Sequence, residues 1–316
     1  MSVLVVGSVA YDSVKTSAGS REDSLGGSAT YFSIASSYFT PVSVVAVVGE
    51  DFRQEHISML ESHHVDVSGL ERSPGKTFRW AGVYGNEDVN TRDTLDTQLN
   101  VFADFSPSLT SEHRSQPYLF LANIDPELQL DVLKQMEPRP KVVALDTMNF
   151  WIEGKKSDLA RVVEGIDILF MDVGEVRSFA GEVNLVTAAK CILSMGPGTV
   201  IAKRGEHGVL VFNGDSVFSA PAFPLERVID PTGAGDSFAG GFMGYLASTG
   251  DTSPGGLRRA AVLGSVMGSF AVESFSMDRL AALSQQDIDE RFRAFTQLSQ
   301  FTPLQDGESL PWRDSR

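Results

Sequence analysis

Apolar residues in this chain recur as short unbroken runs separated by longer amphipathic stretches. Residues 3–6, 42–48, 118–121, 142–145, 166–171 and 199–202 read as strands buried on both faces. Helical periodicity lies between them, over 29–37, 52–62, 127–136, 157–163 and 185–195. Alternation of this kind predicts an α/β fold with a doubly wound, mostly parallel sheet and helices on both faces. Further on, 238–270 reads as two helices around a turn near 253–256, and 286–299 as one more helix.

Two stretches break the rhythm. Residues 9–25 are polar and turn-rich. Residues 77–99 mix Phe78, Trp80, Val83 and Tyr84 with Thr, Asn and Asp. Either these are surface loops or they are strands of a small antiparallel sheet outside the main layer; the expectation taken here is the sheet, a β lid over the substrate. After about residue 300 periodicity is lost, so 1–300 is expected to be one domain and 301–316 a polar, poorly ordered tail.

Composition narrows the partners. A net charge of −15 argues against a nucleic-acid or anionic-membrane surface. It leaves a nucleotide ligand open, because backbone amides and metal ions hold phosphates without many basic side chains. No apolar run reaches the roughly 18–20 residues that span a bilayer. The first apolar run lacks a basic leader and is too short for a signal peptide. Cys191 is the only cysteine, which excludes an internal disulfide and a cysteine zinc cluster and fits a reducing cytoplasm.

The informative stretch is Asp230-Pro-Thr-Gly-Ala-Gly-Asp-Ser-Phe-Ala-Gly-Gly-Phe242. An apparent strand at 227–229 leads in and a helix leads out. Gly233, Ala234 and Gly235 place three small residues at a helix start, where free N–H groups and the helix dipole favour an anion. Asp236 falls in the first turn, beside that site. Gly240, Gly241 and Gly244 lie inside the helix, where each costs about 1 kcal/mol against Ala, so close packing or close ligand approach is expected. Taken alone, a GxGD string also fits an ordinary capped turn.

The whole string resembles the second signature of the ribokinase/PfkB carbohydrate kinase family, D-x-x-G-A-G-D. Weaker agreements reach to about residue 298: Gly26-Gly27 before a helix, Val48-Gly49-Glu50-Asp51, Asp172-Val-Gly-Glu175 with Asp where the family has Asn, and Arg204-Gly-Glu-His-Gly208. The resemblance implies an ATP-dependent kinase that phosphorylates a hydroxyl. Asp236 is similar to the family's general base, and the amides of residues 233–236 to its anion hole. Lys203, Gly205, Gly208, Thr232, Gly233 and Gly235 are implied on the ATP side. Glu175 is implied near Mg2+, through water. Asp12, Gly26, Gly27 and Tyr31 are implied on the substrate side. Tyr31 departs from the family's usual Asn, which leaves the acceptor open. Asn149 is a weaker candidate near the transferring phosphate. Asp230 and Thr232 match the start of a K+ site found in some members, with 272–276 as its opposing wall and Glu273 as the departure there.

Other motifs fail. Ser73-Pro-Gly-Lys-Thr77 has Gly69 one residue too far away for a Walker A loop. The first strand lacks GxGxxG. Three functions stand: a sugar kinase, a nucleoside kinase with Tyr31, Phe32, Trp80 and Tyr84 as stacking faces, and an inactive binding protein. Retention of Asp236 and its loop argues against the last. The expected partners are ATP and a small molecule, with the chain a monomer or homodimer.

Overall fold

The computed structural model describes residues 1–85 and 91–311. In chain order the strands are β1 (Val3–Val6), β2 (Ala10–Thr16), β3 (Gly19–Gly26), β4 (Val42–Gly49), β5 (Val65–Ser73), β6 (Arg79–Tyr84), β7 (Arg92–Gln98), β8 (Tyr118–Leu121), β9 (Val142–Asp146), β10 (Ile168–Asp172), β11 (Thr199–Lys203), β12 (Val209–Asn213) and β13 (Ser216–Ala220). The main sheet runs β13-β12-β11-β10-β9-β8-β1-β4-β5. From β5 across to β11 every pairing is parallel, and β12 and β13 add an antiparallel edge.

Side-chain alternation along β1 feeds two cores. Val3 and Val5 enter one, Leu4 and Val6 the other. The first is closed by the Ser28–Ser37, Ala234–Thr249 and Pro254–Ala271 helices. The second is closed by Pro126–Gln135, Lys156–Val163, Val173–Ala180 and Leu185–Leu193. The glycines in the Ala234–Thr249 helix serve packing: a Cβ on Gly240 would stand 2.5 Å from the Phe32 carbonyl oxygen and 2.8 Å from Ala35 Cβ.

The small sheet expected outside the main layer is present, in the order β3-β2-β6-β7. It consists of two antiparallel hairpins, β2–β3 and β6–β7, joined by parallel pairing of β2 with β6. Residues 86–90, inside the second expected lid segment, lie outside the described residues. The root of this lid is tied to the core. Asp51 accepts from the Thr77 N–H and hydroxyl, each at 2.7 Å, and pairs with Arg79 at 2.8 Å.

Residues 227–229 do not form the expected strand. The Ile229 N–H donates to the Val272 carbonyl at 2.8 Å, so the segment is a loop braced by another loop. Residues 301–311 contain neither helix nor strand and are exposed; 312–316 of the expected tail lie outside the described residues. Among the described residues no helix is long and apolar enough to cross a membrane.

Candidate active site

Functional side chains gather beyond the carboxyl ends of the parallel strands, where β1 lies between β4 and β8 and the winding direction reverses. There β9 ends on Asp146, β10 on Asp172 and β11 on Lys203. The 230–236 loop runs into the Ala234–Thr249 helix from the side. Gly233 caps that helix with φ 73°, and a Cβ on it would meet the Tyr31 ring at 2.3 Å. The left-handed turn and the close ring together require glycine. Tyr31 is thus the buried floor of the loop, 2% exposed. The Ala234 N–H turns back to the Pro231 carbonyl at 3.2 Å.

The charges here are tightly paired. Lys203 Nζ lies 2.8 Å from the Asp146 carboxylate, which is 4% exposed. Burial alone would lower Lys203, but Asp146 and Glu175 outweigh it and hold the ammonium above its ordinary range. Asp236 lies in the first helical turn. Burial first, then Asp146, pushes its carboxyl up to about 7, against the opposing pull of Lys203 and Arg92. A carboxylate poised there is suited to accept a proton near neutrality. Glu175 is pushed up to about 8 by burial, with Lys203 opposing. It forms a reciprocal cap with Asp172: the Glu175 N–H donates to Asp172 at 2.8 Å and Glu175 accepts from the Asp172 N–H at 2.7 Å.

Asp12 lies on β2, in the lid sheet itself, and is pushed up to about 7 by burial and then by the charge of Asp230. A Cβ on Gly26 would meet its carboxylate at 1.9 Å, so a side chain there would displace the Asp12 carboxylate from its present position. Asp230 is also raised by burial. It accepts from the Thr232 N–H at 2.9 Å.

A cleft of about 370 Å3 opens on the other side of the loop, lined by Lys203, Gly205, Gly208, Ala234, Gly235, Phe223, Ser265 and Val272 among others. A Cβ on Gly235 would stand 3.1 Å from Lys203 Nζ, filling the space between the helix start and the ammonium. Thr232 does not line this cleft; its hydroxyl donates to Tyr84 at 3.2 Å. Asn149 opens a short helix and is exposed. Phe32 stacks on Phe120 in the core and offers no face to a base. Tyr84 is 6% exposed and is likewise unavailable for stacking. Asp146 and Arg92 were not anticipated as site residues. Asp146 had one readable signal, a carboxylate ending the buried run Val-Val-Ala-Leu. Arg92 had none, because its role depends on the fold of the lid.

Among the described residues no group of three or more His, Cys, Asp or Glu could hold a metal ion by itself. Behind the loop lies the region expected to wall a monovalent cation. The Val272 carbonyl is taken by the Ile229 N–H, and Glu273 is paired with Arg291 at 2.7 Å and Arg279 at 3.3 Å.

Comparison with known proteins agrees with this geometry. The family model for pfkB family carbohydrate kinases matches residues 2–280. The cytidine kinase of Thermococcus kodakarensis is 31% identical over 252 residues, covering 78% of this chain and 88% of its own. Among solved structures, the nucleoside kinase of Methanocaldococcus jannaschii superposes with a TM-score of 0.74 at 19% identity, covering 93% of this chain and 98% of its own. Aminoimidazole riboside kinase from Salmonella enterica, solved with its riboside and an ATP analogue, gives 0.73 at 17% identity and covers 92% and 100%. The chain belongs to the pfkB family of carbohydrate kinases and is an ATP-dependent phosphotransferase with an alcohol group as acceptor.

Proposed function

We propose that Asp236 is the general base and that the amides of residues 233–236 form the anion hole for transfer to a hydroxyl of a sugar-like substrate. The supporting observation is the placement of Asp236. It lies one helical turn from a left-handed glycine cap, with its carboxyl held near 7 beside the Lys203–Asp146 pair. The acceptor O–H proton passes to the Asp236 carboxylate as the acceptor oxygen bonds to the γ-phosphorus. The bond from that phosphorus to the β,γ-bridging oxygen breaks, and ADP leaves. Lys203 lies at the mouth of the cleft, where it meets the phosphates, and the glycines at 205, 208 and 235 give the nucleotide room. The Ala234 amide must leave the Pro231 carbonyl to join the hole. Mg2+ arrives with ATP and, when bound, neutralises charge on the phosphates. Glu175 and Asp172 are the carboxylates that would receive its water shell.

On the acceptor side, Asp12 accepts from substrate hydroxyls while Gly26 and Gly27 allow close approach and Tyr31 supports the loop. The second reading makes that acceptor the ribose of a nucleoside. It is favoured by the 31% identity to a cytidine kinase along most of both chains. Residues 1–300 act as one kinase domain in the cytoplasm, as monomer or homodimer. ADP release measured across nucleosides, free sugars, polyols and sugar phosphates tests the reading. Turnover of a nucleoside or neutral sugar supports it; turnover of none, with ATP bound, overturns it.

A further inference from the structure

Three side-chain hydrogen bonds join the lid to the segments that carry the phosphate site. On β2, the Thr16 hydroxyl donates to the Ile229 carbonyl at 2.7 Å. On β6, the Tyr84 hydroxyl accepts from the Thr232 hydroxyl at 3.2 Å. Beside them, the Ser276 hydroxyl donates to the Leu25 carbonyl on β3 at 2.5 Å. Tyr84 is 6% exposed, and it stands in register with Arg92 on β7. Arg92 is the cross-strand neighbour of Tyr84, and its charge opposes the burial that raises Tyr84, Asp12 and Asp236.

We infer that Tyr84 is a positioning residue that couples lid closure to the shape of the anion-hole loop. This rests on the reading of residues 233–236 as the phosphate site. Tyr84 touches neither ATP nor the transferred group. It holds Thr232, two residues before Ala234, and faces Arg92 across the β6–β7 pairing. An acceptor that orders Arg92 against Asp12 tightens the Arg92–Tyr84–Thr232 chain and fixes the loop beside Asp236. An empty acceptor site leaves the chain held only from the loop side. The phosphate site is therefore completed from the lid, and water is a poor acceptor because it does not order Arg92.

The test is amide hydrogen exchange on the whole apo protein, which needs no acceptor and no turnover. In Tyr84→Phe, exchange should rise about three- to tenfold in both 79–85 and 229–237, the scale of one lost hydrogen bond. Thr232→Val, which cuts the same bond from the other side, should raise exchange in 79–85 as well. Changes confined to the mutated segment in both variants would overturn the coupling. Kinetics give a second readout: Tyr84→Phe should lower kcat with an ATP KM near the parent's, whereas equal kcat would contradict the inference. Loss of Asp236 function is scored separately with Asp236→Asn, so failure of one reading is not mistaken for failure of the other.

Discussion

At the residue scale the site is a set of carboxylates under strain from burial and from one another. Asp12 and Asp236 are both pushed up to about 7, Asp12 by burial and Asp230, Asp236 by burial and Asp146. Each folded carboxyl thus holds its proton more tightly than the same group in the unfolded chain. Where the folded state binds more protons, stability falls as pH rises. The window runs from the ordinary carboxylate range near 4 up to about 7. Asp236→Asn removes that penalty. Its melting temperature should exceed the parent's at pH 8 and converge on it near pH 4; a parent more stable than the variant at pH 8 would contradict this charge balance. Asp236 was legible in the sequence because its loop is local and its spacing is distinctive. The Lys203–Asp146 pair was only half legible. Its members stand 57 positions apart and meet only because β9 and β11 flank β10. Tyr31 and Phe32 were readable as aromatics, but burial, which composition does not report, decided that they pack rather than stack on substrate.

At the element scale the alternation of buried runs and amphipathic stretches was enough to place β1, β4 and β8 to β11 and most helices. It missed β5 and β13, whose mixed exposure lacks an unbroken apolar run, and also β12, whose Val-Leu-Val-Phe run went unread. It invented a strand at 227–229, where three residues capable of a strand instead spend an N–H on Val272. The glycines of the Ala234–Thr249 helix were read as marking close approach, and packing against the Ser28–Ser37 helix accounts for Gly240. Two effects compete in Gly240→Ala. Helix propensity gains about 1 kcal/mol. The new methyl meets a backbone oxygen at 2.5 Å, which cannot swing aside; overpacking of this kind costs about 1–3 kcal/mol. The clash should win, lowering the midpoint of urea unfolding with an unchanged slope. A higher midpoint would show that the two helices separate without penalty.

At the scale of the whole molecule, side-chain hydrogen bonds tie the lid to the loop. The lid's existence was legible from two polar, β-branched stretches, but its pairing was not, because β2 and β6 join across some seventy intervening positions. The same long-range packing bears on the monovalent cation. Asp230 and Thr232 sit where such a site would begin, yet Glu273 is held by two arginines and the Val272 carbonyl is occupied. Initial rates should therefore stay flat as K+ replaces tetramethylammonium at constant ionic strength; a several-fold rise would place a cation behind the loop after all. The central claim is that Asp236 takes the acceptor's proton. It is tested most directly by comparing kcat of Asp236→Asn with the parent, at saturating ATP and the best acceptor, across pH 5–9. The account predicts a parent rate that rises through about 7 and levels off. It also predicts a variant slower by at least about 10²-fold, with no such rise and near-normal ATP binding. Equal turnover in variant and parent, or the same pH profile in both, would contradict it.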